Sequence, residues 1–296
     1  MASPTTLNEY VRATKARIRR QFIPLLNELN QGQGGSIKEG QIAATALPII
    51  ERFEPHIREV EEFVLTGINE EWEAGLGAAL SVAGDWMTLS ARPQPRSLRF
   101  AQGAPELMAW RLLILTGTKI FANNTTRFLK DLVRTPIEVE DMEGRFSHLS
   151  LGDRINLFYP EAFLSRANIG ADYLQHLFAR EEHLMPFFAD EEEYHFSLAQ
   201  FLIVVSLYDA WTDREYALYP IYSQIPPARR AMQRICSHLA TRDAMASDIA
   251  ATVGTPLESL LHTWSEHVAK PNSAFEPRLR LGAVKFPDPI TGPVSF

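Results

Sequence analysis

The densest gathering of metal-ligand residue types in this sequence is His176, Glu181, Glu182, His183, Asp190, Glu191, Glu192, Glu193 and His195. Within it Glu192 and His195 stand three apart, the spacing that sets a carboxylate and an imidazole on one helical face. Carboxylate-bridged di-metal bundles use such a Glu-x-x-His pair twice, with two further glutamates from facing helices. No second copy occurs in the chain, and Pro186 with Phe187-Phe188 interrupts the stretch. The acidic run therefore reads first as a helix start, where carboxylates favour the positive end of the helix dipole. Glu192 and His195 stay as candidate ligand or metal positions, and the cofactor expectation is none.

A second pair of carboxylates follows. Asp209 and Asp213 stand four apart in Asp209-Ala210-Trp211-Thr212-Asp213. Over these residues the chain resembles the aspartate-rich magnesium motif of class I terpene synthases, which are also all-helical. That family's second metal motif, Asn/Asp-Asp-x-x-Ser/Thr-x-x-x-Glu, is not supplied around Ser247 and Asp248, so a polar helix end is the better account. Asp209 and Asp213 complete the candidate ligand set. Glu192 and His195 sit near one end of an apolar helix and Asp209 near the other, so one site would hold them all only if other helices brought partners to each end.

Hydrolytic and phosphate-binding signatures are missing. There is no Gly-x-Ser-x-Gly elbow and no glycine loop closing on Lys-Ser or Lys-Thr; Gly117-Thr118-Lys119 is not enough. His148, His238, His262 and His267 are scattered singly, and His262 and His267, five apart, miss the spacing that lets two imidazoles share a metal from one helix face. The single cysteine, Cys236, leaves no internal disulfide or multi-cysteine zinc site. His238, two residues on, points elsewhere on a helix, so Cys236 reads as an interior thiol.

Arg12, Lys15, Arg17, Arg19 and Arg20 crowd one segment, and Glu51, Glu54, Glu59, Glu61 and Glu62 crowd the next. Arg12, Lys15, Arg19 and Arg20 form a candidate basic patch for a phosphate-bearing partner. The alternative is two solvated faces attracting each other, and no aromatic residues interleave as base-stacking platforms. A net charge of -7 disfavours nucleic acid as a partner.

The elements that must position these residues are helical. Thr6-Leu7-Asn8-Glu9 and Ser36-Ile37-Lys38-Glu39 are capping boxes flanking the turn-forming Asn30-Gln31-Gly32-Gln33-Gly34-Gly35. Leu7, Val11, Thr14, Ile18, Phe22, Leu25 and Leu29 form one stripe, and Ile42, Ala46, Ile49, Phe53, Ile57, Val60 and Val64 a second. The two segments suit an antiparallel helical hairpin, bent at Pro48 and Pro55. Asn69 reads as the cap of a helix running to about Ser90 with Trp72, Leu76, Leu80 and Met87 inward. Gly75, Gly77 and Gly84 would let a neighbouring helix come close on it.

Leu107 to Leu115 and Phe196 to Leu207 are apolar almost all round, as in helices surrounded by others. Asn123 or Asn124 reads as a helix cap, Asp190 or Glu191 as a helix start, and Ala228 to about Ala240 as a helix, with another opening at Thr255-Pro256-Leu257-Glu258. Alternation in Ile137 to Glu140 and Arg145 to His148 marks the one plausible β-hairpin.

The expected fold is all-α: a multi-helix globular body with an N-terminal antiparallel helical hairpin and at most one short β-hairpin near 137-148. The expected division is hairpin 1-68, body 69-270 and a proline-rich extended tail 271-296. No segment suits export or a membrane span, so the cytoplasm is the expected location. The leading functional expectation is a non-catalytic helical interaction or assembly module, pairing with a protein partner or its own copy through the N-terminal hairpin. The alternatives are a helical small-ligand-binding protein or metal-dependent enzyme with a pocket in the body, and an accessory or sensor subunit of a multi-component bacterial system.

Overall fold

The computed structural model describes residues 4–31, 48, 51–71, 73–91, 99–140, 145–150, 176–211 and 227–262. Helices dominate, as the sequence requires: α1 (Pro4–Gln31), α2 (Arg58–Asn69), α3 (Glu73–Ala91), α4 (Arg99–Ala122), α5 (Leu129–Arg134), α6 (Glu191–Trp211), α7 (Ala228–Thr241) and α8 (Ala244–Val253). Strands β1 (Pro136–Glu140) and β2 (Phe146–Ser150) pair antiparallel, with Glu138 opposite His148. Among the described residues, no helix is long and apolar enough to cross a membrane. The chain divides into two compact units, 1–116 with 136–151 and 158–174, and 117–135 with 152–157 and 175–296.

In the first unit, α1 is helical from Pro4, two residues before the expected capping box, because proline's fixed φ and missing N–H suit a first turn. Its stripe faces inward: Ile18 and Phe22 are fully buried, with Thr14, Leu25 and Leu26 beside them. The turn at 32–35, the second capping box and Ile42, Ala46 and Ile49 lie outside the described residues. The second half of the hairpin is broken where a bend was expected. Pro55 cannot donate to an α-ladder, so Glu54–His56 tighten into a 3-10 turn before α2. Tyr10 packs tilted against Phe63 with centroids 4.3 Å apart and Phe22 meets Phe53 edge-on at 4.8 Å, so α1 ascends as its partner descends.

The link from α2 to α3 corrects the sequence reading. Asn69 closes α2 and does not cap α3, and the chain turns through Glu71 in the left-handed region at φ 54°. Leu76, Leu80 and Met87 are buried as expected, and Trp72 lies outside the described residues. Gly84 admits a strand in place of the expected helix. A Cβ there would lie 2.7 Å from Ile137 Cγ2 and 3.0 Å from the Glu138 carbonyl oxygen, so β1 rests directly on the α3 backbone. Ile137 and Val139 are buried against it, while Glu138 between them is exposed.

In the second unit, Asn124 takes a left-handed conformation at φ 54° and does not cap α5, and its side-chain oxygen accepts from Arg234 at 3.0 Å. The buried flank of α6 runs through Leu198, Phe201, Leu202 and Val205, as its apolar pattern demands. The helix α8 was not anticipated. Asp243 caps it by accepting the Ala246 N–H at 3.1 Å.

Candidate functional site

A cleft of about 330 Å³ opens in the first unit between α1, α3 and β1. On α1, Lys15 and Arg19 are four apart and therefore share a face. On α3, Leu80, Ser81, Gly84, Asp85 and Thr88 follow the same logic over two turns, and β1 closes the cleft with Pro136, Ile137 and Glu138. The tight seating of β1 on Gly84 brings Glu138 to this rim.

Arg19 grips Asp85 with two donors, Nε reaching Oδ2 at 3.0 Å and Nη2 reaching Oδ1. The Asp85 side chain is only 7% exposed, so this pair neutralises a carboxylate held largely out of water. Burial lowers the pKa of the Lys15 ammonium; the Asp85 charge opposes that, the Arg19 charge adds to it and the Glu138 charge opposes it. Among the described residues neither the Lys15 ammonium nor the Glu138 carboxylate forms a hydrogen bond or ion pair.

The candidate basic patch is thereby split. Lys15 and Arg19 face the cleft, whereas Arg12 and Arg20 are exposed. Charge does bridge the hairpin: Arg17 pairs with Glu59, and Arg52 reaches back to Glu28 at 2.7 Å.

Glu54 and Glu61 do not belong to a solvated face, contrary to the sequence reading. Both are buried, and each accepts from Arg111, which is itself fully buried. Arg111 binds Glu61 through Nε at 2.7 Å and Nη2 at 2.8 Å, and reaches Glu54 Oε1 through Nη1 at 3.2 Å. The sequence carried a signal for this: one arginine inside an apolar helix must bring its own carboxylates.

Glu192 and His195 meet different partners. Glu192 is exposed and pairs with Arg230 on α7 at 2.7 Å. His195 is 9% exposed, lies against Tyr194 with centroids 5.5 Å apart, and is 4.0 Å from Glu191 Oε1. Asp209 lies near the C-terminal end of α6, about 21 Å along the axis from His195 at 1.5 Å per residue. Its side chain and all of Asp213 lie outside the described residues. Among the described residues no group of three or more His, Cys, Asp and Glu side chains is placed to hold a metal ion.

The acidic run does what helix electrostatics favour. Asp190 Oδ1 accepts the Glu193 N–H at 2.8 Å, and Glu193 Oε2 accepts the Ala189 N–H at 2.6 Å, closing the start of α6. Behind it Lys119 is buried, donating to the Phe187 carbonyl beneath the Phe188 ring. Cys236 is a buried thiol whose pKa burial pushes up to about 12. His238 bonds to Asp243 at 2.6 Å.

Comparison with protein-family models, with curated proteins and with solved structures finds no match for this chain.

Proposed function

We propose that this chain is a ligand-binding protein whose recognition site is the cleft between α1, α3 and β1. The observation that carries the reading is the state of its charges. Arg19 binds Asp85 at the wall, while Lys15 and Glu138 line the same cleft with no hydrogen bond or ion pair among the described residues. Desolvating an ammonium without pairing it is costly, and a ligand that supplies the counter-charge recovers that cost. The volume suits a small molecule, at the lower end of ligand pockets.

The apolar stripe of α1 gives no separate reason for a second chain at the hairpin, since Ile18, Phe22 and Phe53 are covered within their own unit. A thermal-shift screen of the full chain tests the reading. The panel would hold carboxylic acids, amines, amino acids, sugar phosphates and nucleotides, with Ser81→Trp as a plugged control on an exposed site. At least one compound should raise the wild-type midpoint and leave the plugged variant unmoved; a panel that moves neither protein, or both equally, overturns the reading.

A further inference from the structure

We infer that the cleft selects a small zwitterion, a molecule carrying one anionic and one cationic group. The inference rests on the cleft being a binding site and concerns which chemistry it accepts.

Four ionisable side chains line it: Lys15, Arg19, Asp85 and Glu138. Arg19 and Asp85 hold each other, two parallel contacts joining the guanidinium to a carboxylate that is 7% exposed, although the Asp85 charge also reaches Lys15. The remaining pair is one ammonium on α1 and one carboxylate on β1, of opposite sign, held on different elements and not in contact with each other. An anion alone would gain Lys15 and be opposed by Glu138, and a cation alone would suffer the reverse. A molecule bearing both charges meets each with its complement. Ser81 adds an exposed hydroxyl, which serves as donor or acceptor. His148, opposite Glu138 across the hairpin, is also exposed and shares that face of the sheet.

The bidentate Arg19 contact fixes the wall and leaves the ammonium and carboxylate of the cleft to be read by the ligand. The separation between a ligand's charges should therefore decide affinity, because both groups must be reached at once.

Isothermal titration of the full chain with the linear ω-amino acids, from glycine to 6-aminohexanoate, scans that separation directly. Each is paired with the alkylamine and the alkyl carboxylate of the same length. The expected result is a preferred chain length that binds roughly tenfold or more tighter than either single-charge analogue. Lys15→Met and Glu138→Gln should each weaken it by roughly tenfold or more, with the thermal midpoint of the unliganded variants recording that they fold. A carboxylate that binds as tightly as the zwitterion, insensitive to Glu138→Gln but lost in Ser81→Trp, overturns the zwitterion inference and leaves the cleft as a binding site. Absence of binding across the whole series also overturns the inference; only a silent thermal-shift panel takes the binding reading with it.

Discussion

Arg111 ties α4 to α2 and to the turn before it inside the first unit. Its guanidinium is fully buried and donates to two carboxylates that are themselves buried. Replacing it removes the guanidinium that Glu54 and Glu61 both bind, so Arg111→Ala should lower stability by about 3–5 kcal/mol in a urea titration. Arg111→Met with Glu54→Gln and Glu61→Gln should recover part of that loss, because both sides of the buried ion pairs are then neutral. If the triple variant is as unstable as Arg111→Ala, shape rather than charge is what the site requires. Cys236 makes a simpler case at the same scale. Burial holds its thiol protonated up to about pH 12, so at pH 8 iodoacetamide should label the native protein far more slowly than the urea-unfolded chain. Legibility at this scale was uneven for a physical reason. The fate of Cys236 follows from its own helix, whereas the roles of Arg111, Glu61 and Asp85 depend on partners 50 to 66 positions away, a pairing that periodicity does not encode.

Elements were more legible than residues, since a helix is announced by local spacing. The stripe of α1, the apolar core of α4 and α6 and the alternation of β1 all appear in the sequence because each depends on neighbours within one or two turns. Ends were read less well. Asn69 and Asn124 look like caps by residue type, yet one closes a helix and the other takes a left-handed turn. The start of α8 was hidden among alanines, although Asp243 marks it. That aspartate predicts its own test. Burial pushes its pKa up, but bonds from His238, the Ala246 N–H and Thr241 outweigh that and hold it below the ordinary 3.8. Its stabilising effect is thus full above pH 3.8 and lost as pH falls through the depressed folded value. Asp243→Ala should cost about 1 kcal/mol at neutral pH, and the gap to wild type should close in acid. An unchanged gap in acid would locate the effect in packing instead. At Gly84, alanine normally gains about 1 kcal/mol in a helix over glycine. Here its methyl would meet stiff, β-branched Ile137 and the Glu138 carbonyl, so Gly84→Ala should destabilise, by about 1–3 kcal/mol, as seen in chemical denaturation.

At the scale of the whole molecule, the all-helical class was legible and the partition into units was not. The boundary falls between Thr116 and Gly117, inside one unbroken helix, and no change of composition marks it. The chain then returns to the first unit at Pro136 for the hairpin that completes the cleft, a topological fact with no local signature. Such a partition predicts how a local lesion should spread. Cooperative blocks of a protein open separately when each has its own core, and the Arg111 cluster belongs wholly to the first unit. Hydrogen exchange followed by mass spectrometry on Arg111→Ala should therefore show loss of protection in α1, α2, α3 and β1, with α6, α7 and α8 exchanging as in wild type. Because α4 supplies residues to both units, its end beyond Gly117 should keep protection that its earlier turns lose. Equal acceleration across α1 to α8 would mean instead that this shared helix couples the two cores into a single folding unit, and that damage at Glu54, Glu61 and Arg111 is felt by every element of the chain.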